Sequence, residues 1–138
     1  MPATAHQNLH DVGFELKEHA EYIELVCNGS YSPGLQLRIA EVALAAAAAA
    51  ARGAVLIDIR KISGSAPSMS ERYDQAVRIA DLQARFTPRV RIAVLGKEPM
   101  VHPQRFGEIV ATNRGALLRV FTERKPALDW LLIRRKKR

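Results

Sequence analysis

Two runs near the start of the chain alternate apolar and polar residues, and beyond them the period changes. In GFELKEH, residues 13–19, Phe14 and Leu16 fall on one face and Glu15 and Lys17 on the other. In EYIELVCNG, residues 21–29, Tyr22, Glu24 and Val26 lie opposite Ile23, Leu25 and Cys27. A repeat of two belongs to a strand, and two such runs with a short connection predict an antiparallel hairpin. From Ser32 the repeat lengthens. Leu35, Ile39, Val42, Ala46 and Ala49 recur at helical spacing, with Arg38, Glu41, Ala45, Ala48 and Arg52 as the solvent stripe. Ser32 is expected as the N-cap, Pro33 as the first helical residue and Gly53 as the left-handed stop.

Three apolar runs follow, each separated from the next by one helical pattern. AVLIDIR at 54–60, VRIAVLG at 90–96 and ALLRVF at 116–121 are nearly continuous, as strands buried on both faces require. The helix after the first carries Tyr73, Ala76, Val77, Ala80 and Ala84 as its expected apolar stripe. Arg72, Gln75, Arg78 and Gln83 form its polar side. Thr87-Pro88 stops it, because a residue before proline avoids helical geometry. A helix over 103–115 places Phe106, Ile109, Val110 and Asn113 on one side and ends at Gly115. A last helix, TERKPALDWLL, is anchored by Leu128, Trp130, Leu131 and Leu132.

Single helices between strands imply right-handed parallel crossovers. The predicted fold is α/β: a single domain with a mostly parallel five-stranded sheet, an antiparallel N-terminal hairpin and four helices. The chain divides into an unpatterned, flexible arm at 1–11, a domain at 12–133 and a basic tail at 134–138. At 138 residues one core is expected.

Charge changes this picture little. The net charge is +7, but RRKKR at the C-terminus supplies five of those charges and leaves the body at +2. Basicity concentrated in a terminal run is a solvated end, so specific nucleic-acid binding is not expected. The single cysteine, Cys27, lies inside an apolar strand and fits a reduced, cytoplasmic compartment. The alanine run at 45–51 is too short to span a bilayer, which needs about 20 apolar residues.

The residues that carry chemistry do not assemble into a recognisable catalytic set. The histidines, His6, His10, His19 and His102, have no metal spacing with the cysteine. Asp58, in the first central strand, has no second carboxylate at fixed spacing. It is expected to bond loop amides or a neighbouring arginine such as Arg60. Arg114 lies at a helix C-terminus, where the dipole favours a cation, or faces a partner or anion. No serine sits in a Gly-x-Ser-x-Gly elbow, and no glycine-rich nucleotide loop is present. No cofactor, metal or catalytic residue is therefore assigned, and an enzyme is not expected.

Two stretches, VLIDIRKISG followed by Ser70-Glu71-Arg72-Tyr73, and FGEIVATNRGALLRVFTERKPALDWLL, resemble the STAS/SEC14-like proteins of the SpoIIAA-like fold. This bacterial family includes anti-sigma factor antagonists. The most specific piece is Asn113-Arg114-Gly115, then the strand ending Val120-Phe121-Thr122, then Ala127-Leu128 and Trp130-Leu131. The resemblance implies that strand order follows chain order and that the helices lie mainly on one side of the sheet. It implies a non-enzymatic role as a regulatory module with a protein partner. The SEC14 side of the kinship implies an alternative, a carrier of a small apolar or lipid ligand.

In phosphorylatable relatives the loop after this strand reads Asp-Ser-Ser-Gly. Here it reads Ile62-Ser63-Gly64-Ser65-Ala66-Pro67-Ser68-Met69, with no aspartate before a serine pair and the glycine early. The residues favour a simpler account. Ser68 and Glu71 have the spacing of a capping box, Gly64 a turn residue and Pro67 a stiffener. Phosphorylation and anion contact are the alternatives. The candidate partner or anion contacts are Asp58, Arg60, Ser63, Ser65, Ser68 and Arg114. An open sheet edge beside the hairpin also allows a homodimer.

Overall fold

The computed structural model describes residues 12–133 and the backbone of His6–Leu9; the basic tail at 134–138 and the rest of the N-terminal arm lie outside the described residues. Six strands form one sheet: β1 (His6–Leu9), β2 (Val12–Glu18), β3 (Ile23–Ser30), β4 (Ala54–Ser63), β5 (Arg91–Leu95) and β6 (Leu118–Phe121). Their spatial order is their chain order. β1, β2 and β3 pair antiparallel; β3 through β6 pair parallel. The mostly parallel sheet and the N-terminal hairpin are as expected.

The arm reading is corrected at His6–Leu9, which add a sixth strand along the outer edge of β2. Main-chain pairing at an edge needs no apolar alternation, so HQNL gave no strand signal. Each parallel crossover is made by a helix: α1 (Leu35–Ala49), α2 (Met69–Gln83) and α3 (Phe106–Asn113). These three cover one face of the sheet, where Ile23, Leu25, Val55, Ile57, Ile92 and Leu118 point. Among the described residues, α4 (Arg124–Leu131) is the one helix on the other face. It packs Ala127 and Leu131 against Leu56, Ala93, Leu95 and Phe121. Burial on both faces is why β4 and β5 read as continuous apolar runs.

Several helix details depart from expectation. α1 buries Leu35, Ile39, Ala43 and Ala47, with Ala40 and Leu44 beside them, while Ala49 is exposed. In an alanine-rich helix every face looks alike to a hydropathy pattern. Its N-cap is Gly34, at φ 86°, with no side-chain cap of its own. Its end is turned by Ala51, at φ 57°, and not by Gly53. Arg52 secures that end, donating to Glu18, to the His19 carbonyl and to the Ala50 carbonyl. Gly115, at φ 89°, does stop α3 as expected, with Ala116 N–H reaching back to the Ala111 carbonyl.

The buried face of α2 is rotated from the predicted stripe. Arg72, Gln75, Ala76, Ala80 and Gln83 are buried, whereas Tyr73 and Ala84 are exposed. Apolarity was a poor guide because each of the three polar residues bonds main-chain groups of other segments. Gln83 donates to the carbonyls of Val90 and Leu117 and accepts from Leu117 N–H. Gln75 accepts from Leu37 N–H, tying α2 to α1. Arg72 donates to the carbonyls of Pro99 and Met100 in the β5–α3 connection. Buried polar groups with such partners are stable where unpaired ones are not. Trp130, expected in the core, is only partly buried, against Phe121 and beneath the Arg91 guanidinium.

Candidate functional site

β4 runs past Arg60 to Ser63, so the loop before α2 is shorter than its sequence suggested. Ser63 pairs with Ser30, and its hydroxyl donates to the Gly29 carbonyl at 3.2 Å. Gly64 turns the chain at φ 104°, and Pro67 is buried beneath the loop. Ser65 is exposed. Ser68 is the N-cap of α2, its Oγ accepting from Glu71 N–H at 3.1 Å. Half of the expected capping box is thus present. The other half is redirected: the Glu71 carboxylate accepts from Gly34 N–H at 2.6 Å and from the Tyr31 hydroxyl at 2.7 Å. It caps the neighbouring helix, because α1 begins without a side chain able to cap itself. Burial and Glu71 together hold the Tyr31 phenol above its usual pKa.

Asp58 and Arg60 occupy each other. The Arg60 guanidinium donates to both carboxylate oxygens, at 3.1 and 2.9 Å, and Arg60 N–H adds a third bond at 3.0 Å. They lie on the α4 side of the sheet, away from the serines on the rim. Beside them sits a buried carboxylate that sequence reasoning did not single out. Glu24 is 3 % exposed and takes a two-pronged contact from Arg124, at 2.8 and 2.9 Å, and a third from His19 Nε2 at 2.9 Å. The Arg124 guanidinium holds the Glu24 carboxyl at about 2, against the upward push of burial, with His19 assisting. His19 stacks on Tyr22 at 4.3 Å between ring centres. The one signal in the sequence was Glu24 inside an otherwise apolar strand.

The outer surface of α2 and α3 is different in character. Met69, Tyr73 and Ile109 are three of the five large apolar side chains exposed among the described residues. Tyr73, Asp81, Val110, Asn113 and Arg114 line a groove between the two helices. Arg114 is exposed at the C-terminal end of α3 and makes no side-chain bond among the described residues. Thus the six candidate contacts do not converge. Ser63, Ser65 and Ser68 lie at the loop before α2, Asp58 and Arg60 on the opposite face of the sheet, and Arg114 at the far end of the groove.

Between the helices and the sheet is a half-open apolar cavity of about 150 Å³. Its polar lining is Tyr31 before α1, Gln36 of α1, Arg72 and Gln75 of α2, His102 and Arg105 ahead of α3, and Glu108 of α3. Among the described residues no group of three His, Cys, Asp or Glu side chains could hold a metal ion. Among the described residues no helix is long and apolar enough to cross a membrane.

No protein-family model matches this chain, and no curated protein matches it. Among solved structures it is similar to an anti-sigma factor antagonist from Mycobacterium paratuberculosis. The two share 15% identity at a TM-score of 0.53, over 87% of this chain and 93% of that one. It is also similar to an uncharacterized protein with a SpoIIAA-like fold from Shewanella loihica. There the identity is 19% and the TM-score 0.47, over 91% and 97% of the two chains. Strand order that follows chain order, three helices on one face and the first of these likenesses together give the chain a STAS-like fold.

Proposed function

We propose that this chain is a non-enzymatic, STAS-like regulatory module that binds a protein partner through the outer face of α2 and α3. The observation that carries the reading is the exposure of Met69, Tyr73 and Ile109 on these two helices, with Tyr73 in a groove that Arg114 also lines. Exposed aromatic and large aliphatic side chains beside an unengaged arginine are the composition of interface anchors. A solved structure with this fold is an anti-sigma factor antagonist, which supports a regulatory role. Ser65 and Ser68 lead into Met69 at the top of this face. They stand at its rim as candidate contacts, without the Asp-Ser-Ser-Gly pattern of a phosphoswitch. A lipid carrier fits less well, since ligand pockets of that kind run to about 300–1,000 Å³ and the cavity here is about 150 Å³.

The test is site-specific photo-crosslinking in the cells that make the protein, with the reactive group at position 73 and, as control, at position 129 on α4. Position 73 should give one discrete crosslinked species, lost when Ile109→Glu is added. Position 129 should not give it. The same species from position 129, or none from position 73, would place the partner elsewhere and end this reading.

A further inference from the structure

The three-helix side of the sheet holds a second feature that the partner reading neither uses nor requires. The cavity under α1, α2 and α3 has an apolar floor of Ile57, Ile92 and Val94 from the sheet and walls from Ile39 and Ala76. Interiors normally close such space, because an unfilled void loses packing contacts. At about 150 Å³ it matches the size of an apolar cavity that admits a single benzene ring.

Its polar wall is asymmetric in charge. Arg72 is 8 % exposed, and its guanidinium meets only the carbonyls of Pro99 and Met100, at 2.8 and 2.9 Å. No carboxylate among the described residues pairs with it. A buried cation without a counter-charge is costly, and two neutral carbonyls leave its charge uncompensated. Arg105, half-buried at the N-terminal end of α3, makes no side-chain bond among the described residues. His102 accepts from Gln104 N–H through Nδ1, at 3.1 Å, which puts its own proton on Nε2 as a donor. Glu108 is the one acid on this wall, and its Oε1 is engaged by Val120 N–H at 2.8 Å.

We propose that this cavity binds a small organic anion: a carboxylate whose apolar body is about the size of one aromatic ring. The ring lies on Ile57, Ile92 and Val94, and the carboxylate is held by Arg105, His102 Nε2–H and the field of Arg72. A carboxylate beside Arg105 supplies both the missing counter-charge and acceptors for an unengaged fork of donors. The volume excludes long acyl chains.

The test uses the full chain and three probes, benzoate, benzyl alcohol and decanoate, followed by amide chemical shifts and calorimetry. Benzoate should bind saturably at least tenfold tighter than benzyl alcohol or decanoate. Its shifts should centre on residues around Ala76 and Arg105. Arg105→Gln should weaken benzoate at least tenfold and leave benzyl alcohol unchanged. Ala76→Leu, which fills the space from the wall, should abolish binding of both ring compounds. Ile79→Phe offers the same obstruction if that variant misfolds. No saturable benzoate binding at millimolar concentrations would overturn the proposal. So would equal affinity for benzyl alcohol, tighter binding of decanoate, or binding that survives both obstructing variants in folded protein.

Discussion

The carboxylate of Glu71, in the first turn of α2, accepts the backbone N–H of Gly34 at the start of α1, at 2.6 Å. One side chain thereby joins the starts of two adjacent helices, and through the Tyr31 hydroxyl it also ties down the segment after β3. The stretch from Gly64 to Tyr73 is a turn and a capped helix start, and the capping carboxylate's partner belongs to a different helix.

Replacing Glu71 should therefore cost more than removing the local cap. Ser68→Ala should destabilise by about 0.5–2 kcal/mol, the usual loss for an N-cap. Glu71→Ala, which strands Gly34 N–H and leaves the Tyr31 hydroxyl only Gln36 as acceptor, should cost about 2–3 kcal/mol. Urea denaturation of both variants measures the difference. A larger loss for Ser68→Ala would mean that the cross-helix contact contributes little.

Gln83 binds two carbonyls and one N–H from the segments before β5 and β6. Gln83→Leu keeps the volume and removes all three partners. It should cost about 3 kcal/mol, since the stranded groups stay buried. Amide exchange at Leu117 should quicken more than exchange in β2, and equal changes at both places would argue against a local role.

Glu24 links stability to pH. Arg124, then His19, hold its carboxyl at about 2 in the folded protein, below its ordinary value of 4.5. A depressed folded-state pKa gives stabilisation that is fully present above the unfolded value and is lost as pH falls from about 4.5 toward 2. Arg124→Ala should cost about 3 kcal/mol at neutral pH. That is the low end for breaking a buried pair, because Arg124 is itself partly exposed. Its loss of stability between pH 5 and 2 should be smaller than that of the parent. Parallel curves would show that Glu24 is not the group responsible.

Cys27 is fully buried, and burial, with the Asp58 charge adding, pushes its thiol up to about 12. A thiol so protonated is inert toward disulfide reagents. Labelling in native buffer should proceed only as fast as the protein opens, and should become immediate in denaturant. Rapid native labelling would contradict the packing of β3.

Trp130 is partly buried, so Trp130→Ala should cost about 2–3 kcal/mol, below the roughly 3–5 of a fully enclosed aromatic. Ala127→Glu, on the buried face of α4, should be worse. Thermal melts of the pair rank the two positions; the reverse order would put Trp130 in the core.

The alternation in β2 and β3, the continuous runs of β4, β5 and β6 and the turns at Gly64 and Gly115 were legible in the sequence. In each, the local period or the backbone angle matches what the fold demands. The Ser68 cap was legible for the same reason, since donor and acceptor lie three residues apart. What the sequence left open depends on neighbours far along the chain. β1 exists because β2 offers an unpaired edge, and HQNL carries no pattern to announce it. The buried face of α2 is set by carbonyls at Val90, Pro99, Met100 and Leu117, which make Arg72 and Gln83 interior residues that hydropathy reads as surface. Glu24 is a lone acid in a strand until α4 brings Arg124 to it across 100 residues. The cavity and the exposed Tyr73 groove have no sequence signal at all. They are properties of how three helices meet one sheet, and the tertiary structure alone decides where packing leaves space and where it leaves apolar groups uncovered.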